Sequence, residues 1–314
     1  MLKIFYTSDI HGSEACFRKF LDAGPDYGVD ALIFGGDITG KLLVPIRERA
    51  GQFEASYQGK QHHFDSLSAA EDFERTLQDS GHYPVRLECG ADDQLATDVP
   101  EFSSLFLQAM KERINRWLEL ADSRLRGTGI ECYVMLGNDD PAELAELIGQ
   151  SDIVVNPDEQ KVLIHDDVEM VCLGHSNLTP FNSHREMPEE RIESILNKLA
   201  NQLTDVRAAI FNVHVPPYDS TLDDAPELDE NLKAKSYDGQ PRFIPVGSTA
   251  VRDIILQRQP LLGLHGHVHE SGGTTSLGRT LCINPGSSFT TGVLHGVVVT
   301  IDRGRVCSFQ LVTS

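Results

Sequence analysis

His265, His267 and His269 occupy alternate positions in Leu261–Glu270, LLGLHGHVHE, at the end of a short apolar run. In an extended chain alternate side chains share a face, roughly 6.5–7 Å apart along the strand. Neutral imidazole is a good ligand for zinc, iron and similar ions, so the stretch reads as one wall of a metal site. The plain alternative is an exposed polar strand end. Other ligand-type residues also follow hydrophobic runs: Asp9 and His11 after LKIFYT, Asp37 after ALIF, Asn138 after IECYVML, and His214 after AAIFNV. Any one of them alone could be a cap or a turn. Together they are expected to meet at one sheet edge, where open parallel sheets place their ligands. The donors are oxygen and nitrogen with no thiolate, a set that suits Mn, Fe or Zn.

The elements that must carry these residues are legible as an α/β pattern. An apolar strand at 2–7 precedes a helix, EACFRKFLDAG, capped by Ser13 and expected to stop at Gly24 and Pro25. Strand 31–34 follows. The next clear strand is 130–136, with a helix PAELAELIGQ behind it that takes Asp140 as its N-cap and Gly149 as its end. Strands are expected at 162–164, 169–173 and 208–213, helices at 188–203 and 247–258, an acidic turn-rich loop at 218–245, and closing antiparallel strands at 280–283 and 296–310. The interval 44–129 interrupts the pattern. Residues 65–79 and 101–126 read as helices, the latter with an apolar face built on Phe102, Leu105, Phe106, Met110, Trp117 and Leu118. The acidic link ECGADDQLATD lies between them. The region is therefore expected to be a mostly helical insertion, either a lid or ordinary covering helices.

The chain has 314 residues, enough to bury one large core. No apolar run approaches the ~20 residues that span a bilayer. The N-terminus reads as a buried strand rather than a signal peptide, and the six cysteines show no CxxC pair, which points to reduced thiols and a cytoplasmic protein. The net charge of −20 should repel a polyanion, which argues against nucleic acid as the main substrate. Small phosphates remain compatible, because bound divalent cations dominate the local field. No Lys/Arg cluster suggests a membrane surface. The oligomeric state is open, a homodimer included.

Taken in order, Asp9-Ile10-His11, Gly35-Gly36-Asp37, Gly137-Asn138-Asp139-Asp140, His214-Val215-Pro216-Pro217 and Gly266-His267-Val268-His269 resemble the blocks of the calcineurin-like metallophosphoesterases. The blocks span almost the whole chain apart from the insertion. GHSNLTPF, HVPPYDSTLD, HGHVHESGG and INPGSS further resemble a bacterial and archaeal subgroup of that family. The resemblance implies a single domain over 1–314, a sandwich of two mixed sheets flanked by helices, with the insertion at about 44–129. It also implies two divalent metals. Asp9, His11, Asp37 and His269 would hold one; Asp37, Asn138, His214 and His267 would hold the other, with Asp37 bridging. The nucleophile would be a metal-bridging hydroxide. Two such ions about 3.5–4 Å apart can activate water at neutral pH and neutralise the charge of an in-line displacement.

One position departs from the family, which usually has histidine after the block-three asparagine. Here it is Asp139. A carboxylate beside cations stays ionised, so it would be a poor acid and would repel an anionic substrate. The expected activity is therefore a phosphodiesterase on a small or nucleotide-like substrate. A phosphomonoesterase and a metallophosphoesterase-fold binding scaffold are the alternatives. His175 and His265 are the candidates for the missing proton donor beside Asp139, His175 with a loop-anchoring role as its plainer reading. Asn138, Asn177 and His265 are expected to contact substrate, although His265 also suits a supporting or core position. Asn284-Pro285-Gly286 reads as a simple turn.

Overall fold

The computed structural model describes residues 1–88, 99–165 and 167–314. Strands β1 (Leu2–Thr7), β2 (Ala31–Phe34), β7 (Glu131–Val134) and β8 (Val154–Val155) join β19 (His295–Asp302) and β20 (Arg305–Thr313) in one six-stranded sheet, ordered β20-β19-β1-β2-β7-β8. A second six-stranded sheet combines β9 (Lys161–Ile164), β10 (Val168–Leu173), β11 (Ile210–Val213), β16 (Leu262–Leu264), β17 (Gly273–Leu277) and β18 (Thr280–Asn284), ordered β17-β18-β16-β11-β10-β9. Both sheets are mixed: β1, β2 and β7 run parallel, as do β10, β11, β16 and β18, while the flanking partners β19, β20, β9 and β17 are antiparallel.

The two sheets pack face to face, and alternation along each strand decides what each face buries. Tyr6, Ile33 and Tyr133 lie in register on the inner face and meet Met170, Ile210, Leu264 and Ile283 of the opposite sheet. Phe5, Leu32 and Cys132 form the neighbouring row on the outer face, under helix α1 (Glu14–Tyr27) and a long helix, α3 (Val99–Leu125). Helices α5 (Glu189–Ala200) and α6 (Thr249–Arg258) cover the outer face of the second sheet. Where both faces are covered, as at β1, β2, β10, β11 and β16, the strands are largely buried runs rich in apolar residues, which made them visible in the sequence.

Several expectations change. Helix α1 does not stop at Gly24-Pro25 but continues to Tyr27, where the chain turns left-handed at Gly28. The last turn is held by the Tyr27 ring stacked on Phe5 at 5.9 Å, contact enough to retain a proline that donates no hydrogen bond. Asp140 does not cap a helix; α4 spans only Leu144–Gly149, and Asp140 turns inward. The interval 44–129 contains the two expected helices, α2 (Leu67–Asp79) and α3, but also a four-stranded sheet that was not expected. Its strands are β3 (Leu43–Arg49), β4 (Gln52–Tyr57), β5 (Lys60–Phe64) and β6 (Tyr83–Glu88). Residues 89–98, most of the acidic link, lie outside the described residues. The small sheet packs on α2 through Val44, Ile46, Phe53, Ala55, Ala70 and Leu77. α3 instead joins the main core, with Trp117 stacked on Phe17 at 4.2 Å. The segment 218–245 carries two short ladders, β12 (Asp224–Pro226) with β15 (Phe243–Pro245) and β13 (Ser236–Tyr237) with β14 (Gln240–Pro241). Among the described residues no helix is long and apolar enough to cross a membrane.

Candidate metal centre

Every candidate ligand follows the C-terminal end of a strand in a parallel pair: Asp9 and His11 after β1, Asp37 after β2, Asn138 after β7, His214 after β11, His267 and His269 after β16. The loops after β1 and β2 interlock by backbone hydrogen bonds, Asp9 N to Gly36 O (2.9 Å), His11 N to Asp37 O (3.0 Å) and Gly12 N to Ile38 O (2.8 Å). Asp9, His11, Asp37 and His267 all adopt positive φ, at 57°, 40°, 56° and 67°. Such conformations are costly outside glycine and persist where the surroundings over-determine them, which is common at functional sites. Gly137 permits a close approach to the carboxylate: a Cβ there would lie 2.1 Å from Asp37 Oδ1.

The side chains gather into two adjoining groups, Asp9–His11–His269 and Asp37–His214–His267, each with its ligand atoms within 4.8 Å of one another. His11 Nε2 is 2.9 Å from His269 Nε2, and Asp9 Oδ1 is 3.5 Å from His269 Nε2. In the second group Asn138 Oδ1 lies 3.1 Å from His214 Nε2 and 2.7 Å from His267 Nδ1. Asp37 Oδ2 stands between the groups, 3.7 Å from His11 Nε2 and 3.4 Å from His214 Nε2. The outward nitrogens of His11 and His214 face backbone carbonyls, Nδ1 to Thr39 O at 3.3 Å and Nδ1 to Gly35 O at 2.9 Å. Donation there leaves the Nε2 lone pairs pointing inward, the usual arrangement for a ligating histidine. Inward lone pairs and carboxylates crowded this closely fit a bound cation.

The electrostatics favour the same occupant. Burial pushes the Asp37 carboxyl upward, yet His214, His11 and Lys41 overcome it and hold the group well below the usual range. Asp9 is likewise opposed by burial but lowered to about 2 by His269 and His214. Burial lowers His11 and His267 to about 4, so both rings are neutral near pH 7. His214, although buried, is raised to about 9 by Asp37 and Asp9. His269, against its burial, is likewise raised by Asp9, so the two carboxylates favour positive charge beside them, the charge a bound cation would supply.

Further residues set this geometry. Asp140, completely buried, accepts from Ile38 N (3.0 Å), Thr39 N (2.8 Å), Thr39 Oγ1 (2.6 Å) and Gly137 N (2.7 Å), and so locks the Asp37 loop to the Asn138 loop. Asn284 donates to Gly266 O (3.3 Å) and Val268 O (2.9 Å), fixing the backbone on either side of His267. Its side chain also accepts from Gly286 N, so the turn reading holds while its second task went unseen. Phe289 packs against the His11 ring at 4.7 Å and meets the His269 ring edge-on at 5.9 Å. Phe289 had no motif signal; Asn284 was within INPGSS, a stretch already singled out.

Asp139 stays at the centre: its carboxylate forms a third group with His11 and Asp37. It is not a bare negative charge. Lys41 pairs with Oδ2, Ser183 Oγ donates to Oδ1 at 2.6 Å, and Asn138 Nδ2 donates to Oδ1 at 3.1 Å. His175, His265 and Asn177 lie elsewhere. His175 is partly buried with Nδ1 at 3.2 Å from Arg185, whose guanidinium supports the carbonyls of Leu136 and Gly137. Burial and Arg185 lower it to about 4, so near neutral pH the ring is neutral rather than the imidazolium a general acid would be. His265 is fully buried, its Nδ1 2.9 Å from Val213 O, and the ring folds back over Gly263; substrate contact is replaced by a core role. Asn177 donates to Val246 O at 3.3 Å and ties its loop to the segment before α6.

No protein-family model matches the chain. An uncharacterized protein of Methanocaldococcus jannaschii, MJ1162, is 29% identical over 176 residues, which cover 55% of this chain and 69% of that protein. Among solved structures, TT1561 of Thermus thermophilus superposes with a TM-score of 0.51 at 15% identity, covering all of this chain and 98% of its own. A further crystal structure gives 0.55 at 17% identity, covering 98% and 97%. At these identities the likeness is one of fold.

Proposed function

We propose that this chain is a metal-dependent phosphoesterase of the calcineurin-like type, with two divalent cations (Mn, Fe or Zn), acting on small or nucleotide-like phosphodiesters. The observation that carries the reading is the Asp37 carboxylate, within 3.7 Å of a ligand nitrogen of each histidine group. A shared carboxylate between two O/N donor sets is what a bridged pair of hard-to-borderline cations requires. When bound, such a pair would supply Lewis acidity and an activated water. Asp9, His11 and His269 would hold one cation and Asp37, Asn138, His214 and His267 the other, with Asp37 between them. The protein's own part is to keep His11 and His267 unprotonated, to hold both carboxylates ionised, and to aim the His11 and His214 Nε2 atoms through the Thr39 and Gly35 carbonyls.

The diester preference follows from Asp139. Its two oxygens are engaged by Lys41, Ser183 and Asn138, so it offers no proton to a leaving group. Esters with good leaving groups do without one. Bis(p-nitrophenyl) phosphate should therefore turn over faster than an unactivated monoester such as glycerol 2-phosphate, whose alkoxide leaving group needs a proton, in the Mn²⁺-supplemented protein. Replacing Asp139 by His should move the ratio toward the monoester; an unchanged ratio would remove Asp139 as the basis of the preference.

A further inference from the structure

The position after Asn138 pairs with a residue that no ligand motif singles out. Lys41 lies four residues beyond Asp37, on the loop that leaves β2, and its side chain is 58% exposed beside candidate ligands that are nearly all buried. Its ammonium meets Asp139 Oδ2, while Ser183 and Asn138 take Oδ1 and the Asp139 N–H donates to Asp37 Oδ1 at 2.9 Å. Three loops thus meet on one carboxylate: Lys41 from the loop after β2, Asp139 from the loop after β7, and Ser183 from the loop between β10 and α5.

We propose that Lys41 is the substrate-facing cation of this site and that Asp139 is the anchor that positions it. The proposal rests on the phosphoester reading above. An ammonium has three donors, and pairing with Asp139 leaves the others for an incoming phosphoryl oxygen. A free lysine side chain samples many rotamers, and a fixed counter-charge restricts them before substrate arrives. The Asp139 side chain is 16% exposed against 58% for Lys41, so the cationic partner lies toward solvent and the anionic one toward the metal ligands. The repulsion expected of a bare Asp139 is thereby cancelled, and the outer partner attracts the anion. Other cations around these loops are committed behind them. Arg113 donates to Gly12 O (2.6 Å) and His82 O (2.8 Å), and Arg185 to Leu136 O, Gly137 O and Asp158. Because Lys41 and Asp139 together add no net charge, the pair suits a singly charged phosphodiester better than a dianionic monoester. Lys41 is thus a specificity element as well as a binding one.

The test uses the full chain loaded with Mn²⁺ and two readouts, calorimetric binding of inorganic phosphate and steady-state kinetics on bis(p-nitrophenyl) phosphate. Lys41→Gln should weaken phosphate binding and raise KM by about 10- to 100-fold, the range for losing one charge-assisted hydrogen bond, with kcat within about 3-fold. Lys41→Arg should restore binding to within about 3-fold. Asp139→Asn should raise KM while Mn²⁺ content stays that of the wild type. Phosphate binding by Lys41→Gln equal to the wild type would overturn the proposal. Loss of Mn²⁺ from Lys41→Gln would also overturn it, since the lysine would then be supporting the ligands. If the wild type hydrolyses no ester yet binds phosphate through Lys41, the cation assignment stands and the hydrolase reading falls.

Discussion

Asp37 and Asp140 do different work within a few ångströms of each other. Asp37 faces the ligand groups, whereas Asp140 spends both oxygens on four donors of the surrounding loops. Asp140→Ala strands those buried donors and should cost about 3 kcal/mol or more in urea unfolding, with reduced metal affinity. A cost below about 1 kcal/mol would show that the loops hold without it. The titrating residues set a pH signature. His214 is raised to about 9 in the fold against 6.5 unfolded, so in metal-free protein its protonated form contributes stability that is complete below about 6.5 and lost as pH rises through 9. His11 and His267 are lowered to about 4, so their contribution is lost as pH falls from about 6.5 toward 4. Metal-free protein should therefore melt highest near neutrality, with Tm falling by about pH 9.5 and by about pH 5. A ligand must be deprotonated, so metal binding at about pH 7.5 should release a proton from His214 and weaken in acid. Calorimetry in buffers of different ionisation enthalpy counts that proton, and zero release would contradict the assignment. At this scale the residues that the fold gathers were legible in the sequence, because Asp, Asn and His after apolar runs are conspicuous. It could not show Lys41, Ser183 or Phe289, whose contacts arise only when distant loops meet.

The elements show the same division. Strands β1, β2, β7, β11 and β16 were readable because both sheet faces are covered and their residues are almost uniformly apolar. β3 to β6 were not, because their strands mix charged and apolar residues. A signal was nevertheless present: Ala50-Gly51 and Gln58-Gly59 are paired positive-φ turns flanking β4, the type that closes two-residue hairpins. The insertion is tied to the metal loops through glycine. A Cβ on Gly40 would lie 1.9 Å from Gly81 O and 2.7 Å from His11 O, joining the Asp37 loop, the α2–β6 turn and the His11 loop. Gly40→Ala should therefore destabilise the protein by about 1–3 kcal/mol or more and displace His11, lowering Mn²⁺ affinity. Native stability together with native affinity would mean that the junction relaxes freely.

For the whole molecule, a net charge of −20 and a cluster of buried carboxylates both favour binding of divalent cations. Cation binding to the folded state raises Tm by mass action, so Mn²⁺ should stabilise the wild type and have a smaller effect on Asp37→Asn, which lacks the shared carboxylate. The four-layer arrangement brings strand ends from residue 9 to residue 269 onto one edge, which is why the site is dispersed in sequence and compact in space. The proposed function stands on two cations sharing Asp37. Its most direct test is the rate of bis(p-nitrophenyl) phosphate hydrolysis by chelator-stripped protein titrated with Mn²⁺. The account predicts no turnover without metal, a rate that reaches its plateau near two equivalents, and a flat response for Asp37→Asn. Turnover that survives chelation, or none at any Mn²⁺ loading of a correctly folded protein, would contradict it.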